Sequence, residues 1–358
     1  MTLDDTVVLP ALGAERRRRP AARTADDVLA LAGAAAGSFA LVWLLFARLL
    51  PLSGAVGFLL CWYAAFLVLH VAILAQTRTR LDVVDRTVSV VVHTAGALVV
   101  GALVLVVGYV VVEGALAVRP NLFTQTLGGV GITDPINRGG VLHAIVGTLE
   151  QITIAVLITV PLGIGAALYL NEVRGRMTRP LRTLIEAMSA LPSVVAGLFV
   201  FAAAILFLGL PKSGFAASLA ISVMMLPIVA RTSEVVFRLV PSGLREASYA
   251  LGASQWRTVF RVVLPTSRAS LATAVILGVA RGIGETSPVL LTAGFTAELN
   301  ANPFQANQVS LPLVVFNLVR QPDDVAIARG FAAALTLLSI VLALFVTARV
   351  LANRRPSE

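Results

Sequence analysis

Long apolar segments alternate with short polar segments along the whole sequence. A helix rises about 1.5 Å per residue, so about 20 apolar residues are needed to cross the ~30 Å hydrocarbon core of a bilayer. By this measure the pattern predicts an all-α, polytopic transmembrane helical bundle of about eight spans. Their expected bounds are 29–50, 54–76, 88–118, 142–170, 182–208, 215–237, 271–294 and 327–350.

The composition agrees with a membrane protein. Hydrophobic residues make up 58% and charged residues 13% of the 358 residues, whereas soluble domains carry about one quarter charged residues. The net charge of +9 comes from arginines between apolar segments and not from one solvated face, which excludes a nucleic-acid-binding protein. One cysteine and three scattered histidines exclude an intramolecular disulfide and give no metal-binding pattern.

The placement of arginines predicts the orientation, because cytoplasmic loops of membrane proteins carry an excess of Lys and Arg. With the N-terminus in the cytoplasm, 20 of the 28 basic residues fall in cytoplasmic segments and six in outer segments. Shifting the assignment by one span inverts this bias. We therefore expect both termini in the cytoplasm, with residues 1–24 forming a basic tail that lacks the pattern of a secretory signal.

The long connection between the sixth and seventh predicted spans has the pattern of a helical hairpin. Pro241 and Ser242 are typical of a helix start, and Gly252 is expected to end that helix. A second short helix over 254–263 is expected to stop at Pro265. Such a hairpin presents small residues to the cytoplasm, where they allow close approach by another protein.

The same connection resembles the EAA loop of bacterial ABC importer permeases. The shared pattern is a Glu-Ala pair, a glycine, nine residues, an aliphatic residue, one further residue and then Leu-Pro. The residues concerned, with one further alanine of the first helix, are Glu246, Ala247, Ala250, Gly252, Val262, Leu264 and Pro265. In that family the loop forms a coupling helix that docks on the ATP-binding subunit. The resemblance therefore implies an ATPase-coupling role for 241–267, although Ser248 stands where a second alanine is common.

Further stretches resemble the PstA family of phosphate-importer permeases. The resemblance covers about 81–358, which is the six-span permease domain with its EAA loop, and leaves an extra N-terminal transmembrane pair over 25–80. The stretches are LFTQT at 122–126, the segment 147–173, LPSVVAGLFVF at 191–201, LPIVARTSEVV at 226–236 and ARGIGETSPVLLTAG at 280–294.

This resemblance implies that the chain forms half of an anion path in a bacterial plasma membrane. Its expected partners are a PstC-like permease, a PstB-like ATPase dimer, a PstS-like extracytoplasmic binding protein, inorganic phosphate and membrane lipid. A phosphate-binding loop requires G-x-x-x-x-G-K-[ST], and the only lysine, Lys212, follows Pro211. We therefore expect no cofactor and no enzymatic activity in this chain, with ATP and Mg bound by the ATPase.

Other assignments stay open at this level. Permeases for molybdate or sulfate share the EAA loop, and the PstC-type partner subunit is itself similar to PstA. An ion-coupled secondary transporter that works alone belongs to a different class, and the hairpin argues against it. A membrane sensor or scaffold is a further alternative, which the lack of an output domain disfavours.

Two Arg–Glu pairs inside predicted spans are the candidates for the substrate path, because charges within a bilayer are costly and usually face a pore or a partner. Each pair is spaced three or four residues apart, which places both members on one helix face. The planar guanidinium can donate two hydrogen bonds to an oxyanion, and the paired carboxylate would hold it in place. Purely structural ion pairs are the alternative. The candidate path residues are Arg231, Glu234, Arg281, Glu285, Thr286 and Ser287.

Overall fold

The computed structural model describes residues 25–49, 54–131, 133–173 and 175–353. The predicted basic tail 1–24 lies outside the described residues. Helices account for 79% of the chain, and no strand occurs among the described residues. The chain divides into two compact units, Met1–Val104 and Leu105–Glu358. The all-α fold class is therefore confirmed.

The first unit contains α1 (Ala25–Leu44), α2 (Ala55–Thr77) and the start of α3 (Arg80–Ala117). A π-helical turn, Leu45–Leu49, extends α1. The helices α1 and α2 pack through edge-to-face aromatic pairs between Phe39 and both Phe58 and Trp62, an arrangement favoured by the ring quadrupoles. The two predicted N-terminal spans are confirmed as helices long and apolar enough to cross a bilayer.

The second unit carries the remaining helices. They are α4 (Asn121–Thr124), α5 (Leu142–Leu168), α6 (Thr178–Ala190), α7 (Ser193–Val200), α8 (Gly214–Arg238), α9 (Ser242–Ala250), α10 (Gln255–Thr258), α11 (Leu264–Gly282), α12 (Ser287–Thr292), α13 (Leu311–Leu318) and α14 (Asp324–Asn353). Three further π-helical segments are Tyr169–Val173 after α5, Phe201–Phe207 after α7 and Val259–Val263 between α10 and α11. Seven described helices are long and apolar enough to span a membrane, and the bent pair α6–α7 raises the number to eight if it counts as one span.

Helix α8 is the centre of the second unit and packs against α5 and α11. Small residues allow this approach, as is common between membrane helices. A Cβ at Gly163 of α5 would lie 2.9 Å from Val229 Cγ1, and one at Gly278 of α11 would lie 2.6 Å from Val229 Cγ2. The glycines therefore set the distance at which the three helices meet.

Gly282→Ala is expected to destabilise this packing. The new Cβ would lie 2.5 Å from Met225 Sδ and 2.9 Å from Ile221 Cγ2, and both neighbours are buried. We expect the free energy of unfolding to fall by about 1–3 kcal/mol, measured as a lower Tm of the purified chain in detergent. Gly284→Ala is the matched control, because nothing lies within 4 Å of its Cβ position. Equal losses in both variants would contradict the packing argument.

The predicted span 182–208 is wrong as a continuous helix. Helix α6 and the segment Ser193–Phe207 meet at 112°. The break falls at Leu191, whose φ of −69° and ψ of 128° are extended. The ring of Pro192 disfavours helical geometry for the residue before it, so the chain turns there.

The predicted stop at Pro265 and the predicted span 271–294 are also wrong. The helix runs from Gln255 to Gly282, and Pro265 lies in the first turn of α11. The π-helical turn Val259–Val263 comes directly before it and already breaks the regular hydrogen-bond ladder, so the missing N–H of proline costs little there. The helix then ends at Gly282, and 287–292 forms the separate α12.

A buried amide network connects α5 to the segment before α13. Gln308 donates from Nε2 to Glu150 Oε2 at 2.5 Å and to Asn300 O at 3.0 Å. Gln151 donates from Nε2 to Gln308 O at 3.1 Å. These bonds give Glu150 and Gln151, two neighbouring polar residues of α5, partners from the protein, as polar groups inside an apolar span require.

Candidate functional site

A cavity of about 390 Å³ lies where α8, the α6–α7 break and the end of α11 meet. Two of the predicted path residues, Arg231 and Arg281, line it together. The remaining lining residues are Met188, Ser189, Leu191, Pro192, Ser193, Met224, Pro227 and Ile228. The structure therefore brings two arginines that are 50 positions apart in the sequence to the lining of one cavity.

Irregular backbone forms part of the wall of this cavity. Ser189 and Ser193 flank the turn at Leu191 and Pro192 and also line the cavity, and Pro227 interrupts the hydrogen-bond ladder inside α8. Non-helical backbone at membrane depth is tolerated only where protein buries it or where it lines a cavity. The break in α6–α7 therefore belongs to the site and not merely to the connection.

The arginines give the cavity a net positive charge. Arg231 has no carboxylate within 4 Å among the described residues. Arg281 Nη2 lies 3.1 Å from Glu285 Oε1, and the Arg281 side chain is 54% exposed whereas that of Glu285 is 8% exposed. The predicted Arg281–Glu285 pair is thus observed. Two guanidinium groups in one cavity can together donate several hydrogen bonds to a tetrahedral oxyanion.

The predicted pairing of Arg231 with Glu234 is wrong. Glu234 Oε1 accepts a hydrogen bond from Arg182 Nη2 at 2.8 Å and another from Arg238. Arg238 lies one turn further along α8, and Arg182 comes from α6. Glu234 therefore pairs with Arg182 and Arg238, whereas Arg231 lines the cavity.

Two further predicted residues lie apart from the cavity lining. Thr286 lies in the break between α11 and α12, Ser287 is the first residue of α12, and both are half-buried. Ser189 and Ser193, which do line the cavity, were missed from the sequence. Their only signal was the proline between them, which marks a break.

The second candidate site is the hairpin formed by α9 and α10. Glu246, Ala247, Ala250 and Gly252 are all exposed on it. The two arms are joined by a hydrogen bond of 2.8 Å between the hydroxyl oxygens of Ser248 and Thr258. Large apolar side chains are exposed on the same hairpin, namely Leu244, Tyr249, Leu251 and Trp256, with Leu251 at 89%. An exposed apolar surface with small residues is typical of a protein docking site.

Leu264 and Pro265, the last two residues predicted for coupling, do not lie on the exposed hairpin. They form the start of α11. Leu264 packs against the small apolar cluster around Phe237 and Val263. The structure therefore places Leu264 half-buried and Pro265 exposed at the base of the hairpin.

Hydrogen bonds from two side chains, Arg245 and Gln255, fix the base of the hairpin. Arg245 donates from Nη2 to Glu172 Oε1 and to Phe237 O, each at 2.8 Å, and from Nη1 to Val240 O at 2.8 Å. Gln255 Nε2 donates to Glu172 O at 2.6 Å. The carbonyls at 237 and 240 lie at the end of α8, where a helix leaves acceptors unsatisfied. Arg245 thus binds α9, α8 and the π-helical turn after α5 together.

Gly252→Val is expected to loosen the hairpin. The φ of Gly252 is +76°, a region that costs a residue with a Cβ about 1–2 kcal/mol. The amide groups of the turn donate to Tyr249 O and Ser248 O, so their hydrogen exchange should become about tenfold faster. Mass spectrometry of exchange over 242–258 measures this. Gly243→Ala is the control, since its Cβ position is open, and equal acceleration in both variants would contradict the argument.

Comparison with known proteins shows the family of this chain. Residues 159–355 match the family described as "Binding-protein-dependent transport system inner membrane component". The "Phosphate transport system permease protein PstA 1" of Mycobacterium tuberculosis (strain CDC 1551 / Oshkosh) is 40% identical over 258 residues, which cover 71% of this chain and 84% of that protein. The corresponding PstA of Mycobacterium leprae (strain TN) is 41% identical over 260 residues, covering 71% of this chain and 85% of that protein.

A solved structure shows the same fold at low identity. The crystal structure of a bacterial ABC transporter involved in the import of the acidic polysaccharide alginate covers 78% of this chain and 100% of its own, with a TM-score of 0.54 and 15% identity. The chain is a multi-pass membrane protein with an ABC importer permease fold. It belongs to the binding-protein-dependent transport system inner membrane components and, within that family, to the PstA permeases.

Proposed function

We propose that this chain is the permease subunit of an ATP-driven importer of inorganic phosphate. The observation that carries the proposal is the cavity that Arg231 and Arg281 line together. The names of the relatives, phosphate transport permeases at 40% and 41% identity, support phosphate among the oxyanions that such a cavity could take. Bidentate arginine contacts are well suited to phosphate oxygens.

The proposed transporter needs further subunits. The exposed hairpin α9–α10 would dock on an ATPase dimer of the PstB type, which would bind ATP and Mg. A second permease of the PstC type would complete the path, and a binding protein of the PstS type would deliver phosphate from outside. No cofactor and no catalytic activity are assigned to this chain. The proposed orientation, with both termini cytoplasmic, places the hairpin on the cytoplasmic side, where the ATPase binds ATP.

The proposed cycle uses the two sites in turn. Closure of the ATPase dimer draws the hairpins of the two permeases together, and Arg245 transmits this movement to the end of α8 and to the turn after α5. Helix α8 carries Arg231, so movement of the hairpin reaches the cavity through one helix. Phosphate then passes the arginines, which hold it by hydrogen bonds that water can replace, because a transporter must also release its substrate.

The test is ATP-dependent uptake of labelled phosphate into vesicles that hold the whole complex. We expect uptake that requires ATP and is reduced by excess unlabelled phosphate but not by equal sulfate or molybdate. Uptake of another oxyanion without phosphate uptake would overturn the substrate and leave the family assignment intact. Transport by this chain without an ATPase would overturn the coupling as well.

A further inference from the structure

A second arginine-lined cavity lies at the start of α6 and the end of α8, apart from the cavity that Arg231 and Arg281 line. It has a volume of about 710 Å³. Arg176, Arg179, Arg182 and Arg238 line it, together with Thr178 and Asn171. The orientation proposed above places it in the cytoplasm. None of the functions discussed so far uses this cavity.

Its charge is only partly compensated. Glu234 accepts hydrogen bonds from Arg182 and Arg238, and one carboxylate serves both. Arg176 and Arg179 have no carboxylate within 4 Å among the described residues. The cavity therefore carries two guanidinium groups whose donors are available to an anion.

The arrangement of the arginines goes beyond the general charge bias of such proteins. The excess of arginine on cytoplasmic loops explains basic residues at the membrane edge, but it does not explain four of them around one concavity. Arg176 and Arg179 are exposed, so an anion in the cavity can reach their donors.

The cavity also adjoins the base of the hairpin. Asn171 Nδ2 donates to Glu172 Oε1 at 3.1 Å, and that same oxygen accepts from Arg245 at 2.8 Å. An anion held by Arg176 and Arg179 would therefore lie beside the turn that anchors α9 and α10. Its binding would restrain this turn and with it the movement of the hairpin.

We infer that this cavity binds a phosphate-type oxyanion on the cytoplasmic side and thereby slows the coupling hairpin. The anion is either free inorganic phosphate or the headgroup of an anionic lipid, which present the same oxygens. The inference concerns binding at Arg176 and Arg179 and does not depend on which solute the permease carries.

The experiment uses an arginine-specific dicarbonyl reagent on the assembled transporter in nanodiscs, with modification read at each arginine by mass spectrometry. One arm uses phosphatidylcholine nanodiscs with and without inorganic phosphate. The other uses nanodiscs containing phosphatidylglycerol, without phosphate. Arg80 and Arg349, both exposed and outside the cavity, are internal controls. At ten times the dissociation constant, modification of Arg176 and Arg179 should slow about tenfold.

Each outcome decides the matter. Selective protection by inorganic phosphate supports a free-phosphate site, and selective protection by phosphatidylglycerol alone supports a lipid site. In the variant Arg179→Gln, the protection of Arg176 should be lost. Equal protection at Arg80 and Arg349, protection in neither arm, or an Arg176 that is unreactive in the assembled complex without either anion would overturn the inference.

Discussion

Replacing Arg281 by glutamine is expected to lower ATP-driven phosphate uptake about 100-fold. Glutamine keeps one hydrogen-bond donor group but loses the charge and the bidentate fork. A hydrogen bond to a charged group contributes about 1.5–3 kcal/mol, so the loss of two such bonds at the lower value corresponds to about two orders of magnitude in rate or affinity. The measurement is initial uptake of labelled phosphate by vesicles containing equal amounts of the assembled complex.

The pair with Glu285 requires a control, because loss of Arg281 also removes a partner from a largely buried carboxylate. Arg281 is 54% exposed, so solvent screens the pair and its loss should cost only about 1 kcal/mol of stability. The double variant Arg281→Gln, Glu285→Gln removes both charges. A structural role predicts that the double variant regains uptake, whereas a role in the anion path predicts that it does not.

Arg231 provides an independent check on the same cavity. It has no carboxylate partner among the described residues, so Arg231→Gln should leave the Tm of the complex unchanged while reducing uptake. Arg349→Gln removes the same charge from an exposed position of α14 and should change neither the Tm nor the uptake. Normal uptake in both Arg281→Gln and Arg231→Gln would contradict the assignment of the cavity to the phosphate path.

The sequence predicted the spans well wherever an apolar segment was long and uninterrupted. The N-terminal pair, α5, α8 and α14 fall within a few residues of their expected bounds. Two of the errors involve proline. Pro192 ends a helix at Leu191, although hydropathy alone predicts that the helix continues. Pro265 suggested a helix end, but the helix continues through it because a π-helical turn comes directly before it. The pattern of apolar residues does not encode which of these happens, because both depend on neighbouring helices.

The sites were predictable only in part. Helical spacing was sufficient to pair Arg281 with Glu285, since both lie within one helical turn of each other at the end of α11. It failed for Glu234, whose partner Arg182 is 52 positions away. The contact between Glu172 and Arg245 spans 73 positions. Such contacts follow from the packing of α5, α6 and α8, which a single sequence does not specify.

Replacing Arg245 by glutamine is expected to uncouple ATP hydrolysis from uptake. The Glu172–Arg245 pair is well buried, with side-chain exposures of 6% and 18%. Breaking a buried pair by removing one partner costs about 3–5 kcal/mol, because the other charge is left unpaired. Arg245 also satisfies two carbonyls at the end of α8, so the hairpin would lose its link to that helix. ATPase activity should persist, while phosphate moved per ATP should fall at least about tenfold.

A double-mutant cycle shows whether the pair itself transmits the movement. Glu172→Gln alone should be milder, since its amide oxygen still accepts from Arg245, and the double variant Glu172→Gln, Arg245→Gln should be less impaired than Arg245→Gln because no buried charge is left unpaired. Arg268→Gln, an exposed position of α11, controls for loss of positive charge near the membrane. If Arg245→Gln lowered ATPase activity and uptake in equal proportion, the residue would act on docking of the ATPase and not on transmission. Since Arg245 joins the hairpin to the helix that carries Arg231, a selective loss of uptake is the result that the geometry requires.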